Sequence, residues 1–312
     1  MQENIIDIAL ATYNGAKYIQ ELLDSLEEQT YQNFIVHVCD DGSTDETITI
    51  CESHVLFLKN KLIIHEREGG NGASKNFIRA ISYCHNSYIA LCDQDDFWKS
   101  NKLERMLKKL KSEEGDKKSP ILVFSDLEIV DAKLSVINSS FFNVSIKSSS
   151  CTTPFDFLLS NHVPGCAMMF NQSLKQVFEP IPCDFRMHDW WIILIASFFG
   201  KIIFLNESLI QYRQHGNNTV GVVGINKNHF FKNIRQVFLY KNLLNKVEMV
   251  RQSFLTFISG KERIDKNQYS EVQNDFLQLL RGELPYTKRI EIFKKCVTGE
   301  NRLLSLVVWC LI

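Results

Sequence analysis

The sequence predicts an α/β fold: a mostly parallel central sheet flanked by helices, with a C-terminal helical extension. Three observations predict it. Short apolar runs alternate with helical patterns between residues 5 and 126, the mark of βαβ units. Those runs are almost continuously apolar, as strands covered on both faces are. From residue 226 onward the pattern is helical and basic, with few Gly or Pro.

Each element follows from its local pattern. IIDIALA (5–11) reads as the first strand. In AKYIQELLDSLEEQ (16–29), Ile19, Leu22, Leu23 and Leu26 fall at helical spacing. FIVHVCD (34–40) is the second strand, and Ser43 is a candidate N-cap for a helix over 44–52. KLIIHE (61–66) and YIALCD (88–93) are further strands, separated by a helix over 73–83. A Lys- and Leu-rich helix over 98–110 precedes the strand ILVFSD (121–126). Residues 138–154 hold many Ser and Asn and read as a loop. GCAMMF (165–170) reads as a strand, DWWIILIASFF (189–199) as a buried helix, and KIIFL (201–205) as a strand after the Gly200 stop. The main domain is placed at 1–225 and the helical region at 226–312.

Composition narrows the function. The chain has 312 residues, 45% hydrophobic and 23% charged, enough for a sizeable core. A net charge of −1 argues against a general nucleic-acid binder. The charge is unevenly spread: residues 1–225 carry 20 Lys+Arg against 28 Asp+Glu, and residues 226–312 carry 15 against 8. Such asymmetry often marks a surface-binding tail. The nine cysteines, Cys39, Cys51, Cys84, Cys92, Cys151, Cys166, Cys183, Cys296 and Cys310, include no CxxC and read as reduced thiols of a cytosolic protein. MQENIIDIALATYNG reads as a first strand and not as a signal peptide. No apolar stretch approaches the length of a membrane span.

In parallel α/β sheets, ligands bind beyond the carboxyl ends of the strands. Here those ends are acidic: Asp40 and Asp41; Asp93, Asp95 and Asp96; Asp126. The Asp40-Asp41 pair can accept from a nucleobase N–H or a ribose hydroxyl, although polar residues also furnish ordinary turns. Asp93 and Asp95, one residue apart at a strand end, can share a hard divalent cation. Asp96 reads as a helix N-terminal acid. In Met187-His188-Asp189-Trp190-Trp191, Asp189 is either a cap or a general base beside aromatic rings on which a sugar can stack. YRQHGNNTVG (212–221) combines a phosphate-pairing cation, Arg213, a candidate metal ligand, His215, and a glycine-containing loop suited to a lid. GGNGASKN (69–76) is a poor dinucleotide fingerprint, and Lys75 is available to a phosphate.

Taken in order, ATYNG (11–15), DDGSTD (40–45), NGASKN (71–76), CDQDDFW (92–98), HDWW (188–191) and YRQHGNNTVG (212–221) resemble glycosyltransferase family 2. The resemblance implies the GT-A (Rossmann-like) fold. It implies a nucleotide-binding half at about 1–130 and an acceptor half at about 131–225. It further implies that Thr12, Tyr13 and Asn14 line the nucleotide pocket and that Asp41 accepts the base N–H. Asp93 contacts the ribose or metal side of the donor, and Asp95 binds Mg²⁺ or Mn²⁺. Lys75 lies near the nucleotide or phosphates, His215 is a further metal or diphosphate contact, and Asp189 is the catalytic base. His188, Trp190 and Trp191 fall to the acceptor side.

The sub-pattern DQDDFW with HDWW and YRQHGNNTVG looks like bacterial rhamnosyltransferases of polysaccharide assembly. The chain shows no QxxRW motif and no membrane helix, so a single-sugar transfer is expected; a direct in-line displacement with Asp189 as base would proceed with inversion. The donor is a nucleoside-diphosphate sugar, dTDP-rhamnose or alternatively a UDP-sugar. The acceptor is a glycan or lipid-linked hydroxyl. The apolar tail Leu303–Ile312, with Lys294, Lys295 and Arg302 nearby, either packs on the core or rests at the inner face of a membrane. Two other readings compete. A nucleotidyltransferase calls for a glycine-rich basic loop after the first strand, which ATYNGAKY does not match. A non-catalytic sugar- or nucleotide-binding module shares the fold without the turnover.

Overall fold

The computed structural model describes residues 4–67, 69, 72–115, 119–144, 151–182, 185–214, 232–261 and 269–296. The chain divides into two compact units: Met1–Ser145 with Val163–Val222, and Ile146–His162 with Val223–Ile312.

The first unit is built on one sheet of nine strands among the described residues. In chain order its strands are β1 (Ile6–Thr12), β2 (Phe34–Asp40), β3 (Leu62–Ile64), β4 (Tyr88–Asp93), β5 (Phe97–Trp98), β6 (Ile121–Val130), β7 (Val136–Asn138), β8 (Met168–Asn171) and β9 (Lys201–Arg213). The helices are α1 (Ile19–Glu27), α2 (Thr47–Ser53), α3 (Val55–Leu58), α4 (Gly72–Ser82), α5 (Lys102–Glu114), α6 (Phe141–Val144), α7 (Gln172–Phe178) and α8 (His188–Phe199). The sheet order is β3-β2-β1-β4-β8-β6-β9-β5, with β7 on β6.

β1 to β4 pair in parallel, as do β6 and β9, while β8 runs antiparallel between β4 and β6. Burial explains the apolar runs. Ile6, Ile8, Ala9 and Leu10 of central β1 are fully enclosed; α4 packs on this strand with Phe77, Ala80 and Ile81 buried, and α1 buries its own stripe of Ile19, Leu22, Leu23 and Leu26. The register aligns Thr12 with Asp40, and Ala11 with Asp93. Adjacent strands lie about 4.8 Å apart, so three strand ends deliver their polar residues to one edge.

Several local expectations are corrected. Trp98 belongs to the short strand β5 against β9, and α5 begins only at Lys102. Asp96 is therefore not a helix cap; it is buried and accepts from the Arg213 backbone N–H at 3.3 Å. Ser43 caps nothing either, because α2 starts at Thr47 after Glu46. Its hydroxyl instead donates to Asp40 and accepts from Asn14 N–H at 2.8 Å. Asp126 lies inside β6, not at the edge. It accepts from the Ser140 hydroxyl at 2.6 Å and from Phe141 N–H at 3.1 Å, holding the start of α6.

α8 is apolar nearly all round because it is buried nearly all round. Trp191 is fully enclosed, with its indole N–H donating to the Phe178 carbonyl at 3.0 Å. Trp191→Ala is expected to cost about 3–5 kcal/mol, the range for a large buried side chain, read from urea unfolding midpoints.

The second unit contains α9 (Lys232–Gly260), α10 (Glu271–Arg281) and α11 (Tyr286–Cys296). Val247, Val250, Phe254, Phe257 and Ile258 are buried at helical spacing along α9. Phe276 of α10 meets Phe254 and Phe155 edge-on, each with ring centroids 5.3 Å apart. This packing draws residues 151–162 into the helical unit, although they precede it in sequence by many residues. A reciprocal Ser270–Gln273 capping box opens α10, and Gly282 at φ 77° closes it. The tail Leu303–Ile312 lies outside the described residues. Among those described, no helix is long and apolar enough to cross a membrane.

Candidate active site

The edge formed by β1, β2 and β4 carries two turns that face each other. The first is the loop after β1. Asn14 adopts φ 45° there, a left-handed conformation that asparagine tolerates. Its N–H donates to Ser43 Oγ at 2.8 Å, and its side-chain carbonyl accepts from Thr44 N–H at 2.8 Å. The loop is thereby bound to the DDGSTD turn. Tyr13, at its tip, is 55% exposed and presents an aromatic face to solvent. Thr12 is buried, and its hydroxyl donates to Asp40 at 2.9 Å. Thr12 therefore shapes the loop from beneath.

Asp40 and Asp41 of the DDGSTD turn have different work. Asp40 is fully buried and satisfied internally. It accepts from Gly42 N–H at 3.0 Å and Ser43 N–H at 2.7 Å, and pairs with the Arg67 guanidinium at 3.0 Å. Asp41 has one oxygen on Gly72 N–H at 2.8 Å, which fastens the start of α4. Lys75 stands exposed on the first turn of that helix.

The second turn is Asp93-Gln94-Asp95-Asp96. Asp93 and Asp95 are half-buried. Burial, and then the charges of Asp95 and Asp189, push the Asp93 carboxyl up to about 7. That mutual influence places the three acids in one electrostatic neighbourhood. Asp96 is also pushed well up, by burial and the charges of Asp93 and Asp95. Oxygens of Asp93 and Asp96 and the Cys166 sulfur lie within 4.8 Å of one another. Beneath the turn, Lys102 is wholly buried. Its ammonium donates to the Cys166 carbonyl at 2.9 Å and stands 3.0 Å from the Trp98 ring centroid. Burial pulls it down to about 7.

The third component is the start of α8. An ideal Cβ on Gly165 would stand 3.3 Å from Asp189 Cβ, 3.4 Å from His188 Nε2 and 3.6 Å from Leu91 Cδ1. Gly165 thus lets α8 close against β4, two residues before Asp93. Asp189 is half-buried, with Oδ1 accepting from Trp190 N–H at 2.7 Å. His188 stacks on Phe77 of α4 with centroids 4.1 Å apart, and both of its ring nitrogens are buried without a hydrogen-bond partner among the described residues.

Burial pulls His188 down to about 3, so the ring is neutral in the native state. A base depressed on folding contributes stability above its unfolded pKa, near 6.5, that is lost as pH falls toward 3. By pH 5 the loss amounts to about 2 kcal/mol. His188→Phe is expected to flatten that acid limb in urea unfolding followed from pH 7 to pH 4.5.

The glycosyl transferase family 2 sequence model matches residues 7–178, more than half of the chain. The chain belongs to glycosyl transferase family 2. A dTDP-rhamnosyl transferase, RfbG of Shigella flexneri, is 27% identical over 224 residues, covering 68% of this chain and 73% of that protein. An uncharacterized glycosyltransferase of Rickettsia prowazekii is 26% identical over 281 residues, covering 83% and 80%. The crystal structure of S. aureus TarS 1-349 superposes with a TM-score of 0.57 at 17% identity, covering 99% of this chain and 88% of that one. The mannosyltransferase PcManGT of Pyrobaculum calidifontis, solved with GDP-Man and Mn²⁺, superposes with a TM-score of 0.52 at 16% identity, covering 99% and 73%. These likenesses establish the GT-A fold for this family 2 enzyme.

Of the residues read from sequence in this family 2 chain, Tyr13, Asn14, Asp41, Asp93 and Asp95 lie on the described turns, and Asp189 lies at the start of α8 beside Asp93. His215 lies outside the described residues. Trp190 and Trp191 are only 4% and 0% exposed and pack on Phe185, with centroids 5.5 and 4.9 Å away. These rings serve the core, and neither offers a face to a sugar. Arg213 is likewise no phosphate ligand. Its guanidinium donates to the Asp95 and Ala132 carbonyls at 2.8 and 2.7 Å, pairs with Glu21 and lies 4.4 Å from the Tyr18 centroid. Sequence reading missed Arg67, Lys102, Gly165 and Gln94. Only Gln94, inside the acidic motif itself, carried a local signal.

Proposed function

We propose that this family 2 enzyme is a metal-dependent, inverting transferase that moves a single sugar, L-rhamnose from dTDP-rhamnose, onto a hydroxyl of a glycan or lipid-linked acceptor. The observation that carries the chemistry is the convergence of Asp93 at the end of β4, Asp95 on the turn that follows and Asp189 of α8, beside the loop that presents Tyr13. The choice of donor is supported by the likeness to RfbG, named as a dTDP-rhamnosyl transferase.

Half-buried carboxylates separated by one residue suit a hard divalent cation, whose preferred ligands are oxygens. Asp95 and Asp93 would hold Mg²⁺ or Mn²⁺, which when bound supplies positive charge to a departing diphosphate. Asp41 accepts the base N–H, with Tyr13 and Asn14 lining the same pocket above Thr12. Lys75 is a cation on the diphosphate side. Asp189 takes the proton from the acceptor hydroxyl as its oxygen bonds to the anomeric carbon and the carbon–phosphate oxygen bond breaks. Attack opposite the leaving group inverts that centre. His188, read from sequence as an acceptor contact, is 3% exposed and offers no ring nitrogen to a sugar; its stack on Phe77 packs α8 against α4 beside Asp189.

A thermal-shift screen of dTDP-rhamnose and UDP-sugars with Mn²⁺ tests this reading. The expected result is stabilisation by dTDP-rhamnose, followed by acceptor-dependent release of dTDP. Stabilisation by a UDP-sugar alone overturns the donor assignment. No response to any nucleotide sugar overturns the proposal.

A further inference from the structure

Gln94 sits between two acids of the DQDD turn, yet its side chain bonds to the other loop. Its Oε1 accepts from Tyr13 N–H at 2.9 Å, and its Nε2 donates to the Tyr13 carbonyl at 2.9 Å. One amide thus satisfies both backbone groups of a residue that lies beyond the last β1–β4 pair, Ala11 with Asp93. In effect it continues the strand pairing across the cleft mouth.

Gly15 makes the room. An ideal Cβ there would lie 2.2 Å from Gln94 Oε1 and 2.6 Å from its Cδ. The Gly15 backbone is otherwise well placed: its N–H donates to Thr47 Oγ1 at 2.8 Å, and its carbonyl accepts from Tyr18 and Ile19. The position needs a hydrogen in place of a side chain because of Gln94, since its backbone is not in the left-handed region.

We infer that Gln94 is a positioning residue, a latch that ties the carboxylate turn to the Tyr13–Asn14 loop and aligns the nucleotide pocket with the acidic turn. The inference rests on the reading of that loop as a nucleotide pocket. A methyl group at Gly15 meets the end of a flexible side chain, so Gly15→Ala evicts the Gln94 amide and leaves the fold intact. Gly15→Ala and Gln94→Ala therefore break one latch from opposite sides.

The test is titration calorimetry of dTDP, or of UDP where dTDP does not bind, at saturating Mn²⁺. It compares wild type, Gly15→Ala, Gln94→Ala and the double variant. Each single variant is expected to weaken nucleotide binding about tenfold, the scale of one or two hydrogen bonds. The double variant is expected to bind no worse than Gln94→Ala, because the added methyl then has nothing to displace. Urea midpoints are expected to stay near wild type in all four. Additive losses, or wild-type affinity in Gln94→Ala, overturn the latch. Wild-type protein that binds neither nucleotide overturns the pocket reading itself, and the latch with it.

Discussion

Asp189→Asn is expected to retain nucleotide binding while losing about 10²–10⁴-fold in turnover, the usual worth of general-base catalysis. The substitution is isosteric. The Asp189 oxygen that accepts Trp190 N–H at 2.7 Å is replaced by an amide carbonyl that accepts equally well, so the first turn of α8 keeps its geometry. What disappears is the ability to take a proton. One negative charge also leaves the neighbourhood of Asp93, whose carboxyl is held high partly by Asp189. Nucleotide affinity should therefore hold or improve. Steady-state rates with a fixed acceptor, paired with dTDP titrations, separate the two effects. Turnover near that of wild type would remove Asp189 from the role of base.

The second large effect is expected from Asp95→Asn. The backbone at Asp95 is anchored independently of its side chain, since its carbonyl accepts from Arg213 Nε at 2.8 Å. The turn should therefore survive and the variant should report on charge alone. Loss of a direct cation ligand is expected to weaken Mn²⁺-dependent dTDP binding by about 10²-fold or more, beyond what loss of a supporting contact typically costs. Titrating dTDP with and without Mn²⁺ reads this directly. An unchanged Mn²⁺ requirement in Asp95→Asn would move the cation elsewhere. The Arg213 anchor also explains why a residue that reads as a phosphate ligand is buried: a guanidinium with three protein partners and an aromatic ring is committed.

Much of this architecture was legible because burial writes directly into composition. IIDIALA, FIVHVCD and YIALCD are enclosed on both faces of the sheet, and their apolar runs end where the chain meets the cleft. Asp41, Asp93 and Asp95 could be found for that reason. The same rule failed at Asp126, where β6 continues through Leu127, Ile129 and Val130 and the acid turns inward to hold α6. It failed again at Trp190 and Trp191. Tryptophan beside an acid looks the same in sequence whether its ring is packed or open.

The sequence by itself determined the longer strands and helices of the first unit (though not β5, β7, α3, α6 or α7), the acidic ends of β2 and β4, and the membership of the chain in its family. These depend on neighbours within a few residues, where hydrophobic period and turn chemistry act. Only the tertiary structure decided which acids are spent internally, as Asp40 and Asp96 are, and which stand beside Asp189. It alone paired Gln94 with Gly15, across 79 positions of chain. Such pairings arise when distant segments close-pack, and close packing depends on shape, which the order of residues along the chain does not display.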